Sequence, residues 1–250
     1  MSKLNEAKIR DYIVANFSPF EEYITNISEI NITLNKEESE ILNSLEPAKI
    51  SDLIKLTIID KLRLAISIVQ NLRLVDKEFN VLENESGIGR KPSIDILAYN
   101  TENYCLAILE LKISASAERQ AVTELSAYNQ GFQNRYRGLS NLEVLWIPIS
   151  SEWRTTPKSA IEFQLLWKNT LVLPLKMDIV SEQDEIESIN LNCFNPVHEL
   201  KEVECLNIFS YECFDNFDCY TTNIISDKKA FINYVTGLCS RENINGFIIF

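Results

Sequence analysis

The sequence is poor in the residues that form tight turns, since its 250 residues contain only 6 glycines and 7 prolines. An all-β architecture depends on many such turns, so their scarcity argues against one. Low-complexity tracts are also missing and 10% of the residues are aromatic, which argues against a disordered chain. The hydrophobic fraction of 46% is enough for one large domain with a full core.

Closely spaced cysteine and histidine ligands are missing as well. The chain has a single histidine, His198, and none of its 6 cysteines forms a Cys-x-x-Cys pair. Structural zinc sites usually require such spacing, so the sequence argues against zinc. We interpret Cys105 as a small buried hydrophobe and His198 as a structural or exposed residue.

The sequence shows no targeting segment and no membrane span. The first eight residues lack the apolar stretch of a signal peptide. The most hydrophobic helical region, residues 54–75, is interrupted by charged side chains, and such a segment crosses a bilayer only at high cost. These side chains are Lys55, Asp60, Lys61, Arg63 and Arg73. We therefore expect a cytoplasmic protein without a membrane partner.

The net charge of −12 is unusual for a protein that binds nucleic acid, but the charge is unevenly distributed. Residues 181–220 contain ten acids against one base, Lys201, whereas residues 110–176 contain six acids and eight bases. We call residues 181–220 the acidic segment. It is interpreted as a solubilising surface, as a binding face for a protein partner, or as an intramolecular cover that repels stray nucleic acid.

The apolar pattern predicts an α/β domain with the element order helix, three strands, helix, strand. Helices are expected over residues 4–30, 36–45, 51–68 and 117–130, and strands over residues 72–82, 93–99, 104–113 and 142–149. Further strands are expected at 161–167, 171–175 and 247–250, and a further helix at 227–239. Because no linker is evident, we expect one domain with a helical N-terminal extension (1–71), a core (72–176) and an acidic C-terminal elaboration (177–250).

Three charged residues stand in strands that are otherwise apolar, which is unusual because burying an unpaired charge is costly. Glu110 and Lys112 are two residues apart and so project from the same face of their strand. Asp95 lies on the preceding strand of the same hairpin. Two converging carboxylates repel each other, and Mg²⁺ or Mn²⁺ would relieve this repulsion. Such an ion would activate water and polarise a phosphate, and the backbone carbonyl of Leu111 is a natural further ligand.

This pattern resembles the PD-(D/E)xK nuclease superfamily, with Asp95 and Glu110 as its acids and Lys112 as its lysine. The likeness is greatest to the NucS-type and RecB-type branches, which it resembles over residues 72–150. Glu78 matches an acid on the preceding strand, or else faces solvent on an edge strand. Those branches also carry a glutamine four residues before a tyrosine on the next helix, where this chain has Glu124 and Tyr128.

The resemblance implies a restriction-endonuclease-like core, a mixed sheet of order α-β-β-β-α-β flanked by helices. It also implies a metal-dependent endonuclease that cuts DNA in repair, restriction or anti-phage defence, with Lys112 assisting the attacking water. Homodimers that cut two strands are common in the superfamily, so a homodimer is compatible with it. Polar side chains flanking the motif are candidate phosphate contacts or ordinary surface residues. These are Arg119, Gln120, Arg135 and Arg137.

Three alternatives remain open at this stage. The chain could keep a nuclease fold without catalysis and act as a binding or assembly module, which the net charge and Glu124 favour. Glu110 and Lys112 could form a weak ion pair on a solvated strand end. The motif could also be accidental in an unrelated α/β domain, in which case Asp95 and Glu110 would lie apart.

Overall fold

The computed structural model describes residues 5–44, 50–81, 93–113, 118–135, 143–182 and 185–196, which all belong to one compact unit, Met1–Leu200. Its helices are α1 (Glu6–Ala15), a 3-10 turn (Phe20–Tyr23), α2 (Ile27–Leu42), α3 (Ile50–Val69), α4 (Glu118–Arg135) and α5 (Thr155–Trp167). Its strands are β1 (Leu72–Phe79), β2 (Ile94–Asn100), β3 (Cys105–Lys112), β4 (Glu143–Ser150), β5 (Leu171–Val172), β6 (Leu175–Glu182) and β7 (Glu185–Cys193).

The strands form one mixed sheet of order β1-β2-β3-β4-β6-β7, with β5 beside β4. The first three strands are antiparallel, β4 runs parallel to β3 after the crossover through α4, and β6 and β7 form an antiparallel hairpin. Helices α1 to α3 pack on one face of the sheet, while α4 and α5 pack on the other. The described part of the chain is therefore an α/β domain with a mixed sheet flanked by helices.

Strand β3 lies inside the sheet, and all eight of its residues are buried. Its side chains alternate between the two faces, as the period of two requires. Leu109 and Leu111 join the core under α1 to α3, whereas Leu106 and Ile108 join the core under α4 and α5. A strand that is covered on both faces reads as a continuous apolar run, which explains the sequence from Cys105 to Leu109.

The predicted succession of helix, three strands, helix and strand is present in the structure. The strand predicted at residues 161–167 is wrong, because these residues form the second half of α5. Ile161 and Leu165 are buried four residues apart, which is helical spacing, and Pro157 lies in the first turn, where a helix tolerates proline. A short apolar run does not by itself distinguish the two structures.

The single helix predicted over residues 4–30 is also wrong, because the chain forms α1, a 3-10 turn and the start of α2 there. Pro19, which cannot donate a backbone hydrogen bond, lies in the interruption. The helix predicted at 36–45 is the end of α2. Strands β6 and β7 continue the sheet, so the domain boundary predicted after residue 176 falls inside β6.

Several predictions fall outside the described residues. These concern Arg137, His198, the elements at 227–239 and 247–250, and the acidic segment beyond residue 196. The side chains of Arg119 and Gln120 are also outside them, although both residues belong to α4. Within the described part, no helix combines the length and the apolar character that a membrane crossing requires.

Asn100 organises the turn between β2 and β3 and fixes the end of that hairpin. Its side chain is fully buried, and its Oδ1 accepts hydrogen bonds from the backbone N–H groups of Glu102 and Asn103 at 2.8 and 2.9 Å. Its Nδ2 donates to the carbonyl of Ile68 near the end of α3 at 2.6 Å. This side chain therefore links the turn to helix α3 at the point where Asn100 and Cys105 form the last register pair of β2 and β3.

We expect Asn100→Ala to lower the free energy of unfolding by about 2–3 kcal/mol, because it removes these bonds and leaves a buried carbonyl without its donor. Asn103→Ala, in the exposed part of the same turn, is the matched control and should change stability by less than about 0.5 kcal/mol. Urea denaturation of both variants measures the difference. Equal losses would contradict the role given to Asn100.

Candidate active site at the end of β3

The sheet register brings Asp95 next to Glu110. Ile96 lies opposite Leu109 in the antiparallel pair β2–β3, so the same register places Asp95 opposite Glu110. The backbone N–H of Leu111 donates a hydrogen bond to Asp95 Oδ2 at 2.9 Å, which ties this carboxylate to β3. The two acids therefore share one end of the hairpin. This excludes the alternative in which Asp95 and Glu110 lie apart.

Glu110 and Lys112 are buried, with exposed fractions of 2% and 7%. Lys112 Nζ donates a hydrogen bond to Glu110 Oε1 at 2.6 Å. Their projection toward α4 brings Glu124 into contact, and its Oε2 lies 2.8 Å from the same Nζ. The alternative of a solvated strand end is wrong, because this is a buried ammonium group between two carboxylates.

The negative charge of the Glu110 carboxylate is only partly compensated by the groups around it. Its Oε2 is buried and has no hydrogen-bond partner in the described part of the chain. Burial, repulsion by Asp95 and the adjacent carboxyl group of Glu124 raise the pKa of Glu110 well above its ordinary value of 4.5, although Lys112 opposes the shift. Burial also raises the pKa of Asp95, against the hydrogen bond from Leu111 and the nearby cations. The pair therefore favours a bound proton or a bound cation.

Lys112 is firmly cationic. Burial by itself lowers the pKa of Lys112, but the charges and hydrogen bonds of Glu110 and Glu124 outweigh it, so the pKa is raised overall. At neutral pH this group is therefore an ammonium ion that cannot accept a proton. It can donate hydrogen bonds and stabilise negative charge that develops on a substrate.

Arg10 belongs to the same site, although sequence reasoning did not identify it. This α1 residue is only 6% exposed, and its Nη1 lies 3.0 Å from Glu78 Oε1 and 3.5 Å from Asp95 Oδ1. The sequence did contain a signal, because Arg10 interrupts the buried face formed by Ile9 and Ile13. A charged residue within an apolar face indicates an internal partner.

Glu6 lies one turn before Arg10 on α1 and also approaches the end of β3. Its Oε1 accepts a hydrogen bond from the backbone N–H of Ile113 at 3.3 Å. Its charge is one of the smaller causes that raise the pKa of Asp95. Helix α1 therefore contributes one acid and one base to the site, and the predicted N-terminal extension is not remote from it.

The remaining predicted residues have partners of their own. Glu78, at the end of β1, has a positive φ of 53° and pairs with Arg10, so it does not simply face solvent. Tyr128 is buried, and its hydroxyl donates a hydrogen bond to the carbonyl of Ser93 at 2.9 Å. Burial and the nearby carboxylates raise the pKa of Tyr128, so it stays neutral. Arg135 Nη1 donates to the carbonyl of Asn80 at 3.0 Å.

A divalent cation fits the donor chemistry of Asp95 and Glu110. Carboxylate oxygens are the ligands that Mg²⁺ and Mn²⁺ prefer, and Glu110 Oε2 is a buried acceptor without a hydrogen-bond partner among the described residues. Within those residues, no group of three or more histidine, cysteine, aspartate or glutamate side chains is arranged to hold a metal ion. The fit is therefore to an ion with two protein carboxylates, whose other ligands are water, backbone or substrate oxygens.

No family model matches this chain, and no curated protein matches it. Among solved structures, SfsA of Pyrococcus furiosus in complex with Ca²⁺ is similar at 11% sequence identity, with a TM-score of 0.26. The matched region covers 56% of this chain and 62% of SfsA, which is less than two thirds of the latter's length. A similarity with so low a TM-score assigns neither a fold nor a function to this chain.

The raised pKa of Glu110 predicts a pH-dependent contribution to the stability of the metal-free protein. The folded state binds this proton more tightly than the unfolded state, so the contribution is complete below the ordinary pKa of 4.5. It is lost as the pH rises through the raised pKa. We therefore expect the stability of the wild type relative to Glu110→Gln to fall as the pH rises above 4.5.

Urea denaturation at several pH values in the presence of a chelator measures this difference. Glu152→Gln is the control, because Glu152 is exposed and pairs with Arg154 rather than with a residue of the cluster, and its profile should follow that of the wild type. A wild type that becomes more stable relative to Glu110→Gln as the pH rises would contradict the predicted direction.

Proposed function

We propose that this chain is a metal-dependent nuclease that hydrolyses phosphodiester bonds of DNA, with Asp95 and Glu110 as ligands of Mg²⁺ or Mn²⁺. The observation that carries the proposal is the buried cluster at the end of β3, where two adjacent carboxylates with raised pKa values meet a firmly cationic lysine. A structural ion pair needs one acid for one base, whereas this cluster contains an excess of acids. The excess favours a cation as the missing component.

The residues of the chain have separate roles in the proposed reaction. Asp95 and Glu110 would hold a divalent ion, which would polarise the substrate phosphate and make a bound water molecule more acidic. Lys112 donates hydrogen bonds to the phosphate oxygens or to the attacking water and stabilises the negative charge that develops. Glu124 holds the ammonium group in place, and the hydroxyl of Tyr128 fixes the start of β2 next to Asp95. The carbonyl of Leu111 is a further candidate ligand.

The charge distribution is compatible with a polyanionic substrate. Residues 110–176, which include Glu110 and Lys112, contain eight bases and six acids, whereas the acidic segment holds most of the negative charge. Phosphate contacts from basic side chains near the motif would position the substrate without reading its sequence. A role in repair, restriction or defence against phage agrees with this chemistry.

Purified full-length protein should cut DNA in the presence of Mg²⁺ or Mn²⁺, and Lys112→Ala should lower the rate at least about 100-fold, because it removes the group that stabilises transition-state charge. Glu110→Gln and Asp95→Asn should abolish cutting, because each removes the charge of a proposed metal ligand. Lys36→Ala is the matched control, since Lys36 is exposed on α2 and pairs with Glu40 rather than with a residue of the cluster. Single-stranded DNA, double-stranded DNA and RNA are assayed in parallel, and circular dichroism checks the fold of each variant.

Cutting that persists in both Lys112→Ala and Glu110→Gln would reject the site assignment, because the activity would then depend on neither residue. Cutting of RNA alone would keep the site and reject DNA as the substrate. Loss of activity in Lys36→Ala to the same extent as in Lys112→Ala would show that the assay does not report on this site.

A second candidate function is a protein-binding or assembly module without catalysis. The observation that favours it is that the site neutralises itself in part, because Lys112 pairs with Glu110 and Glu124 while Arg10 pairs with Glu78 and Asp95. A lysine held by two carboxylates is less available to a phosphate. The acidic segment would then be the surface for a basic protein partner.

Calorimetry with Mn²⁺ distinguishes the two functions without a nuclease assay. The nuclease proposal predicts a binding site that Asp95→Asn weakens at least about tenfold, since it removes one of two charged ligands. The assembly module predicts no such site. Glu152→Gln serves again as the control for nonspecific binding to surface carboxylates. Binding that is equal in Asp95→Asn and in the wild type would count against the metal site.

A further inference from the structure

The ion pairs of the site divide into two similar groups. In the first, Lys112 lies between Glu110 and Glu124. In the second, Arg10 lies between Glu78 and Asp95. Each group has one buried cation between two carboxylates, and Arg10 Nε lies in addition 3.8 Å from Oδ1 of the exposed Asp11. Lys112 belongs to the motif, whereas Arg10 comes from α1, outside the motif.

Both oxygens of Asp95 already have partners. Oδ2 accepts the hydrogen bond from the backbone N–H of Leu111 at 2.9 Å, and Oδ1 faces Arg10 Nη1 at 3.5 Å. The side chain of Asp95 is only 14% exposed, so water compensates its charge poorly. A metal ion that binds Asp95 must therefore share Oδ1 with Arg10 or displace the guanidinium group from it.

We propose that Arg10 is an internal counter-ion that holds Asp95 and Glu78 in place in the metal-free protein and competes with a divalent cation for Asp95. The competition rests on the proposed function, whereas the stabilisation of the metal-free protein does not. Arg10 is in this sense a positioning residue, because it acts on the proposed chemistry through Asp95.

The proposal predicts opposite effects on stability and on metal affinity. Replacing Arg10 with an apolar side chain leaves Lys112 as the remaining cation that acts on the buried Asp95 among the described residues, and this partial loss of compensation destabilises the metal-free fold. The same replacement removes a positive charge beside a metal ligand and so strengthens the attraction for a divalent ion. A purely structural arginine would lower stability and leave metal affinity unchanged or weaker.

The test compares full-length Arg10→Met with the wild type and with Arg63→Met. Arg63 is a matched control because it is a partly buried arginine on α3 whose ion pair with Glu38, at 2.6 Å, lies outside the site. Thermal unfolding is followed in the presence of a chelator, and Mn²⁺ binding is measured by calorimetry. Activity is not needed for either measurement.

Arg10→Met should melt about 5 °C or more below the wild type without metal and bind Mn²⁺ at least about tenfold more tightly. Arg63→Met should melt at a lower temperature than the wild type and bind Mn²⁺ as the wild type does.

If Arg10→Met fails to fold, the double variant Arg10→Met/Asp95→Asn should restore folding, because it removes the uncompensated carboxylate. A double variant that also fails to fold overturns the proposal.

The remaining outcomes separate this proposal from the proposed function. Wild-type binding of Mn²⁺ with unchanged or weaker binding by Arg10→Met overturns the counter-ion role and leaves the nuclease proposal standing. Failure of both proteins to bind Mn²⁺ overturns the nuclease proposal and the competition together. Unchanged melting of Arg10→Met overturns the stabilising role, whatever its metal affinity.

Discussion

The arrangement of the site depends on the burial of two charged residues at the end of β3, a strand whose preceding residues are all apolar. Leu106 and Ile108 fix which face of the sheet the next alternate residues occupy, so Glu110 and Lys112 must point toward α4. Burial there is tolerated only because each charge has an opposite charge within hydrogen-bonding distance. Helix α4 completes the compensation with Glu124, and Tyr128 follows one turn later on the same side of the helix.

The parts of the site that are local in sequence could be predicted. The adjacency of Asp95 and Glu110 follows from a short hairpin and from the period of two, and both are visible in the residues themselves. Arg10 could not be assigned to the site in this way, because α1 reaches it through tertiary packing and no pattern within the helix names the partner. Strand β7 was missed for a similar reason. Its acids suggested a solvated surface, although the alternation of Ile189, Leu191 and Cys193 marks a buried face.

Glu124 changes the balance of the site compared with the glutamine that the resemblance leads one to expect. A glutamine oxygen would accept a hydrogen bond from Lys112 without adding charge, whereas Glu124 adds an ion pair that helps to raise the pKa of Lys112. The substitution therefore favours a lysine that stabilises charge over one that exchanges protons. The carboxylate of Glu124 also competes with a substrate phosphate for the ammonium group of Lys112. How strongly it competes is the physical difference between the two candidate functions.

Charge balance limits what the site can bind. The five carboxylates of the site, Asp95, Glu110, Glu124, Glu78 and Glu6, and its two cations, Arg10 and Lys112, carry a formal charge of −3 when all are ionised. One divalent ion would compensate two of these three charges, while a proton on Glu110 compensates one. A second divalent ion would leave the cluster with a positive excess that only a bound phosphate could offset. Proton and metal therefore compete for the same charge, and the internal ion pairs favour a single ion over two.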